Sequence, residues 1–330
     1  MPPIFAPSRL VPGLALVLGL AWGGSLYAGP PKFDPMRAPL PQTGPAAVSV
    51  AASSITILQV DSDEGRHYRL WVAAIGKPPA SGYPMMILLD GHAAIQTLID
   101  TRDSAPLPGP ILLVAVGTPG PAYFDVEQRA YDYTPDLADG QPIFDPRVPQ
   151  RRAGGAEAFL ATLLGPVQQA LSSRWPLDPL HRGLWGHSYG GLFTLYTLLR
   201  HGDAFQFYAP TSPSLWWHAP LPQNLAERFD RHQPGASACV RLSNGSAEGR
   251  PGHHGSRPDA VAPDQPSPPL FSAADLVQQL EPVFGQRLQW QTYSGLSHGE
   301  TFPASLGPAI RSFSAWSHGA ASCGFDALKR

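Results

Sequence analysis

From residue 48 onward, short apolar runs alternate with stretches of helical spacing. Residues 54–60 and 66–75 switch between apolar and polar positions on either side of a turn at 61–65, which predicts an antiparallel strand pair. Residues 85–89 and 111–116 are continuous apolar runs of buried-strand length, and the spacing between them predicts a helix over 93–101. Residues 125–149, rich in Pro, Asp and Tyr, read as a long loop over a sheet edge. A helix is predicted over 156–173, kinked at Pro166. A short apolar strand at 181–185 follows, then a helix over 192–199 with a stop at Gly202, then a strand at 205–209. Residues 238–242 form a further buried strand running into Ser243-Asn244-Gly245. Residues 249–269 carry Pro, Gly, His and Ser with almost no apolar side chains and read as a mobile insertion. Ser272 caps a helix over 272–284 that Pro282 ends or distorts. A strand at 288–293 and a helix over 302–316 close the pattern. Two antiparallel strands followed by alternating strands and helices predict one α/β domain over 48–330. Its sheet is mostly parallel, its helices lie on both faces, and its chemistry lies at the carboxyl ends of the strands.

Composition narrows the classes of function. The 330 residues are 43% hydrophobic with a net charge of −2, so no nucleic-acid surface is expected. The 39 prolines and 33 glycines are spread along the chain, and no internal repeat is visible. Residues 1–28 resemble an export signal: Arg9, an apolar run over 10–21, then small residues up to Ala28. The run is short for a membrane span, although an uncleaved anchor is the competing reading. Residues 29–47 are Pro-rich and read as a flexible tether. The signal-like segment makes export to the periplasm the expected route, with no stable membrane partner. Cys239 and Cys323 are the two cysteines. Export allows a disulfide between them, while a buried thiol serves equally well for Cys239 in its strand. Their spacing does not suggest a metal site, and no cofactor is called for.

The chemistry centres on Gly186-His187-Ser188-Tyr189-Gly190, which fits the G-x-S-x-G elbow between a strand and a helix. A serine hydroxyl is a weak nucleophile and needs a base. His298, in a short loop after the last predicted strand, suits that role, and the order serine, acid, histidine is the one such sheets use. His187 is set aside because neighbours in a tight turn point apart. His253 and His254 are set aside because the insertion cannot hold a base in place. For the acid, Glu248 stands just past a strand. Asp259, Asp264 and Asp275 are its rivals, and a serine–histidine pair without a carboxylate is also open. Two backbone N–H groups must meet the oxyanion. Tyr189 supplies one, and His92, after Asp90-Gly91, is the simplest source of the other.

Several stretches beyond the elbow carry a resemblance. They are residues 84–91 (Pro-Met-Met-Ile-Leu-Leu-Asp-Gly), 129–135 (Arg-Ala-Tyr-Asp-Tyr-Thr-Pro), 154–160 (Gly-Gly-Ala-Glu-Ala-Phe-Leu), 186–193 and 212–217 (Ser-Pro-Ser-Leu-Trp-Trp). From residue 81 onward the chain resembles the esterase D-like α/β-hydrolases and, among them, the enterochelin (catecholate siderophore) esterases. The resemblance implies an α/β-hydrolase fold. It also implies hydrolysis of the ester bonds of a trilactone siderophore, which releases iron by fragmenting the chelator. Such a ligand is anionic and aromatic, so Arg129 is expected to pair with catecholate oxygens and Trp216 or Trp217 to stack on the rings. A salt bridge of Arg129 with Asp132 or Asp125, and core packing of one tryptophan, are the competing readings. A broad carboxylesterase is the alternative activity, and a non-catalytic siderophore-binding protein a more distant one. The chain departs from the family pattern over 249–269, which leaves the acid and the rim of the pocket open.

Overall fold

The structure is a computed structural model, and it describes residues 48–51, 54–101, 106–136, 141–217, 237–248, 272–321 and 323–325. The segments expected to be export signal, tether and insertion lie outside the described residues. Among the described residues, no helix is long and apolar enough to cross a membrane.

Strands β1 (Ile55–Asp61) and β2 (His67–Ile75) pair antiparallel, as their alternating pattern predicts. β3 (Tyr83–Leu88) and β4 (Ile111–Gly117) follow, joined by helix α1 (Gly91–Asp100). All six residues of β3 are buried, and so are the first six of β4, as befits strands covered on both faces. The other sheet strands are β7 (Leu177–His187), β8 (Phe207–Thr211), β9 (Cys239–Gly245) and β10 (Leu288–Tyr293). The eight-stranded sheet runs β1-β2-β4-β3-β7-β8-β9-β10, with every pair from β4 onward parallel. The strand order reverses direction between β3 and β7, and there the loops leaving the two strands diverge and open a crevice at their carboxyl ends.

Two apolar layers sandwich the sheet. On one face pack α3 (Ala156–Thr162), α4 (Gln168–Ser172), α5 (Tyr189–Arg200) and α6 (Ala273–Phe284), through residues such as Phe159, Leu171, Phe193 and Leu280. On the other pack α1 and α7 (Thr301–Ser317), through Ile95, Leu98, Phe302, Ile310 and Phe313. This is the α/β-hydrolase architecture.

One local reading changes, and two prolines find their places. Residues 125–149 are not one long loop. Asp125 caps a helix, α2 (Val126–Asp132), by accepting the Gln128 N–H, and β5 (Ile143–Asp145) pairs with β6 (Val148–Ala153) as a separate hairpin. A π turn at Leu163–Val167, with Pro166 inside it, joins α3 to α4. Pro282 lies within the last turn of α6, which ends at Phe284 as the pattern predicts.

The cysteines form a disulfide, with Cα atoms 5.7 Å apart and a separation of 84 positions in sequence. It ties β9 to the segment that follows α7. In the chain-entropy account, closing a loop of that length in the unfolded chain is worth about 4.5 kcal/mol. Cys323→Ser should therefore lower the urea unfolding midpoint in non-reducing buffer, and a reductant should bring the wild-type protein to the same midpoint.

Candidate active site

The elbow is a turn that only particular residues can make. Ser188 sits between β7 and α5 at φ 60°, ψ −116°, a conformation that L-residues rarely adopt. A Cβ on Gly186 would lie 2.3 Å from the Gly190 carbonyl oxygen, and one on Gly191 would lie 2.5 Å from that of Thr211. Without side chains at these positions, strand and helix close on each other and Ser188 projects from the tip.

Ser188 Oγ lies 3.0 Å from His298 Nε2, and His298 Nδ1 lies 3.4 Å from Glu248 Oε2. A long acid–base contact is common before substrate binds. Burial alone would raise the pKa of Glu248. Hydrogen bonding to His298, the imidazole's charge, and the donors Ser212 and Gly245 outweigh burial and hold the carboxyl below its ordinary value. Asp275 caps α6 with Ser272, so it belongs to that helix end and not to this site. Asp259 and Asp264 lie outside the described residues.

His187 stands away from the nucleophile's base position. Its Nε2 faces the His298 carbonyl oxygen at 2.7 Å, and its ring packs edge-on against Phe302. Burial and the neighbouring His298 push its pKa well down, so the ring is neutral. Ser297 binds the Glu300 carboxylate through its N–H and its hydroxyl, which fixes the turn that carries His298.

Tyr189 and His92 open the helices α5 and α1. The first turn of a helix leaves N–H groups without intrahelical acceptors, and both helices point those groups toward the crevice end of the sheet. The His92 ring is held apart from this, stacked on Trp71 and hydrogen-bonded to the Ala122 carbonyl through Nδ1. Asp90 shapes this turn. It adopts φ 51° as the N-cap of α1, and its N–H donates to Tyr133 Oη at 3.0 Å.

Arg129 is where the sequence reading changes most. Its guanidinium grips Asp90 with two hydrogen bonds, Nε to Oδ1 at 2.9 Å and Nη2 to Oδ2 at 3.0 Å, and its side chain is only 13% exposed. Phe124, Tyr133 and Tyr189 surround it. Burial disfavours the charge, but the Asp90 carboxylate more than compensates and raises the pKa. The salt-bridge partner is thus neither Asp132 nor Asp125, and the fork that would meet a catecholate is already occupied. Trp217 is also corrected: it is fully buried in the core beside Tyr189. Trp216 is half-buried on the rim, with the Arg147 guanidinium 3.5 Å above its ring.

The sequence reading missed Ser214, whose Oγ is 3.3 Å from that of Ser188, and Arg147. It also missed Asp145, which accepts the Tyr189 hydroxyl at 2.9 Å and so pins the β5–β6 hairpin to the elbow. Ser214 lies inside a quoted motif, but nothing in a lone hairpin signals Arg147 or Asp145. Among the described residues, no cluster could hold a metal ion.

Removing one partner of a buried ion pair strands the other, at a cost on the order of 3 kcal/mol. Arg129→Ala should lose stability of that size in chemical unfolding. Its turnover should fall equally on a bulky anionic ester and on a small neutral one, because the Asp90 turn serves both.

The chain has recognisable relatives. The Esterase family model matches residues 130–306. The apo-salmochelin esterase of Escherichia coli is 37% identical over 205 residues, which are 60% of this chain and 61% of that protein. The ferri-bacillibactin esterase BesA of Bacillus subtilis is 26% identical over 270 residues, which are 76% of this chain and 85% of that protein. The chain thus spans under two thirds of the first relative and most of the second. Among solved structures, the BES protein from Bacillus cereus matches with a TM-score of 0.64 at 26% identity, covering 80% of this chain and 97% of that one. With its reversing sheet, its elbow and the matched family model, the chain belongs to the Esterase family, built on an α/β-hydrolase fold.

Proposed function

We propose that this protein is a serine esterase that hydrolyses the ester bonds of a catecholate trilactone siderophore and so frees its iron. The observation that carries the reading is the 3.0 Å contact between Ser188 Oγ and His298 Nε2 at the tip of the elbow. His298 takes the hydroxyl proton as Ser188 attacks the ester carbonyl, and Glu248 stabilises the imidazolium that results. The backbone N–H groups of Tyr189 and His92 meet the oxyanion. His298 then returns the proton to the departing alkoxide, and water hydrolyses the acyl-serine by the same steps.

The substrate class draws support from the named relatives, which are siderophore esterases, and from the rim. Trp216 is an aromatic ring with the guanidinium of Arg147 over it, and it stands two residues from Ser214, whose Oγ is 3.3 Å from that of Ser188. An anionic aromatic group meets both charge and ring there. Incubation with ferric enterobactin should yield fragments carrying one dihydroxybenzoyl-serine unit, faster than a short p-nitrophenyl ester is cleaved. Ser188→Ala should abolish both reactions, by on the order of 10⁶ in turnover, while keeping the fold. Rapid cleavage of the simple ester with enterobactin untouched would reassign the protein as a broad carboxylesterase.

The proposed location is the periplasm. The signal-like residues 1–28 support it, and so does the Cys239–Cys323 disulfide, a bond that persists in oxidising compartments. Mass spectrometry of the fractionated protein should find it in the periplasm, cut near residue 28. A full-length cytosolic chain would reject this location, and a full-length chain in the membrane fraction would identify an anchor.

A further inference from the structure

Glu248 turns only one oxygen toward His298. The other, Oε1, takes two donors: the Gly245 N–H at 2.5 Å and the Ser212 hydroxyl at 2.6 Å. Ser212 Oγ is in turn 2.8 Å from Thr301 Oγ1. Thr301, the first residue of α7, lies 2.7 Å from the His298 carbonyl oxygen, which His187 Nε2 also approaches at 2.7 Å.

One hydrogen in this network has a fixed place. A carboxylate only accepts, so Ser212 gives its one hydrogen to Glu248. The 2.8 Å contact between the two hydroxyls is then attractive only if Thr301 donates to Ser212 Oγ. Thr301 has one hydrogen for two acceptors, Ser212 Oγ at 2.8 Å and the His298 carbonyl at 2.7 Å, and His187 Nε2 meets that carbonyl at 2.7 Å and stands 3.1 Å from Thr301 Oγ1. Thr301 thus braces Ser212 and the His298 turn together, and in every arrangement the Ser212 hydroxyl donates to Glu248.

Backbone strain singles out Ser212. Among the described residues, four non-glycine residues have positive φ: Asp90, Ser188, Ser212 and Cys323. The side chain of each is committed. Asp90 grips Arg129, Ser188 faces His298, and Cys323 is in the disulfide. Ser212, at φ 43° and 3% exposed, occupies a conformation that glycine would take without strain. Its hydroxyl is what glycine would lack.

We propose that Ser212 is a positioning residue for the reaction: backed by Thr301, it aims the Glu248 carboxylate at His298. The proposal rests on the reading of Ser188, His298 and Glu248 as the catalytic residues. Ser212 touches neither substrate nor the reacting atoms and acts through the acid alone.

Ser212→Gly tests this, because glycine accepts the backbone conformation and the variant should fold with an unchanged or higher melting temperature. On a short p-nitrophenyl ester, kcat should fall about tenfold, the scale of a lost hydrogen bond to a charged group, with KM within about twofold of wild type. Thr301→Val should reproduce part of that loss, and Thr301→Ser, which keeps the hydroxyl, should recover it. In a Glu248→Gln background, Ser212→Gly should cost nothing further. Wild-type kcat in Ser212→Gly beside a crippled Glu248→Gln would overturn the proposal and leave the catalytic reading standing. So would a tenfold loss that persists in full in the Glu248→Gln background. Wild-type kcat in Glu248→Gln would overturn the acid's assignment and the proposal with it.

Discussion

The site depends on bending three neighbouring strand ends through left-handed backbone without using glycine. Asp90 after β3, Ser188 after β7 and Ser212 after β8 all have positive φ. Each such residue costs on the order of 1–3 kcal/mol, and it persists only where the surroundings over-determine it. They do so here. Arg129 and Tyr133 hold the Asp90 turn, the bare glycines of the elbow let α5 close on β7, and the Ser243 carbonyl accepts the Ser212 N–H at 2.7 Å. The sheet makes the three turns adjacent, because β3, β7 and β8 are consecutive in the strand order.

Electrostatics within this frame divides the charged groups by task. Asp90 and Arg129 neutralise one another in the interior, and the pair shapes the turn before α1 rather than the chemistry. Glu248 stays ionised because its donors outweigh its burial, and a carboxylate held in that form stabilises the imidazolium of His298 as it develops. His187, one residue from the nucleophile, is kept neutral by burial and by His298. A second positive charge there would oppose the imidazolium, so neutrality at His187 serves the base as much as its hydrogen bond does.

The rim is built from another part of the chain. Asp145 links the β5–β6 hairpin to Tyr189 and also pairs with Arg151 at 3.1 Å, so the hairpin is anchored to the residue next to the nucleophile. That anchoring brings Arg147 over Trp216. The elbow and the hairpin are thus joined through one buried carboxylate.

How much of this was legible in the sequence follows from the range of the forces involved. Buried strands announce themselves as continuous apolar runs, and the elbow announces itself through glycines that local sterics demand. The parallel sheet, Ser188, and the placement of Glu248 and His298 just past strands could therefore be read directly. Pro282 stands in the last turn of α6, where it interrupts little that packing on Leu276, Leu280 and Phe284 does not restore. Residues 125–149 misled because α2 and the hairpin are short, and contacts to distant residues such as Asp90 and Tyr189 hold them in place. The partner of Arg129 was beyond reach for the same reason. Asp90 lies 39 positions away, and a guanidinium shows no preference in sequence among the carboxylates that might meet it. Local sterics and hydrophobic period determined the strands, the elbow and the order of the catalytic side chains. Which buried polar groups satisfy one another was decided only by the tertiary structure, because a hydrogen bond depends on ångström-scale approach between residues whose separation along the chain carries no information about it.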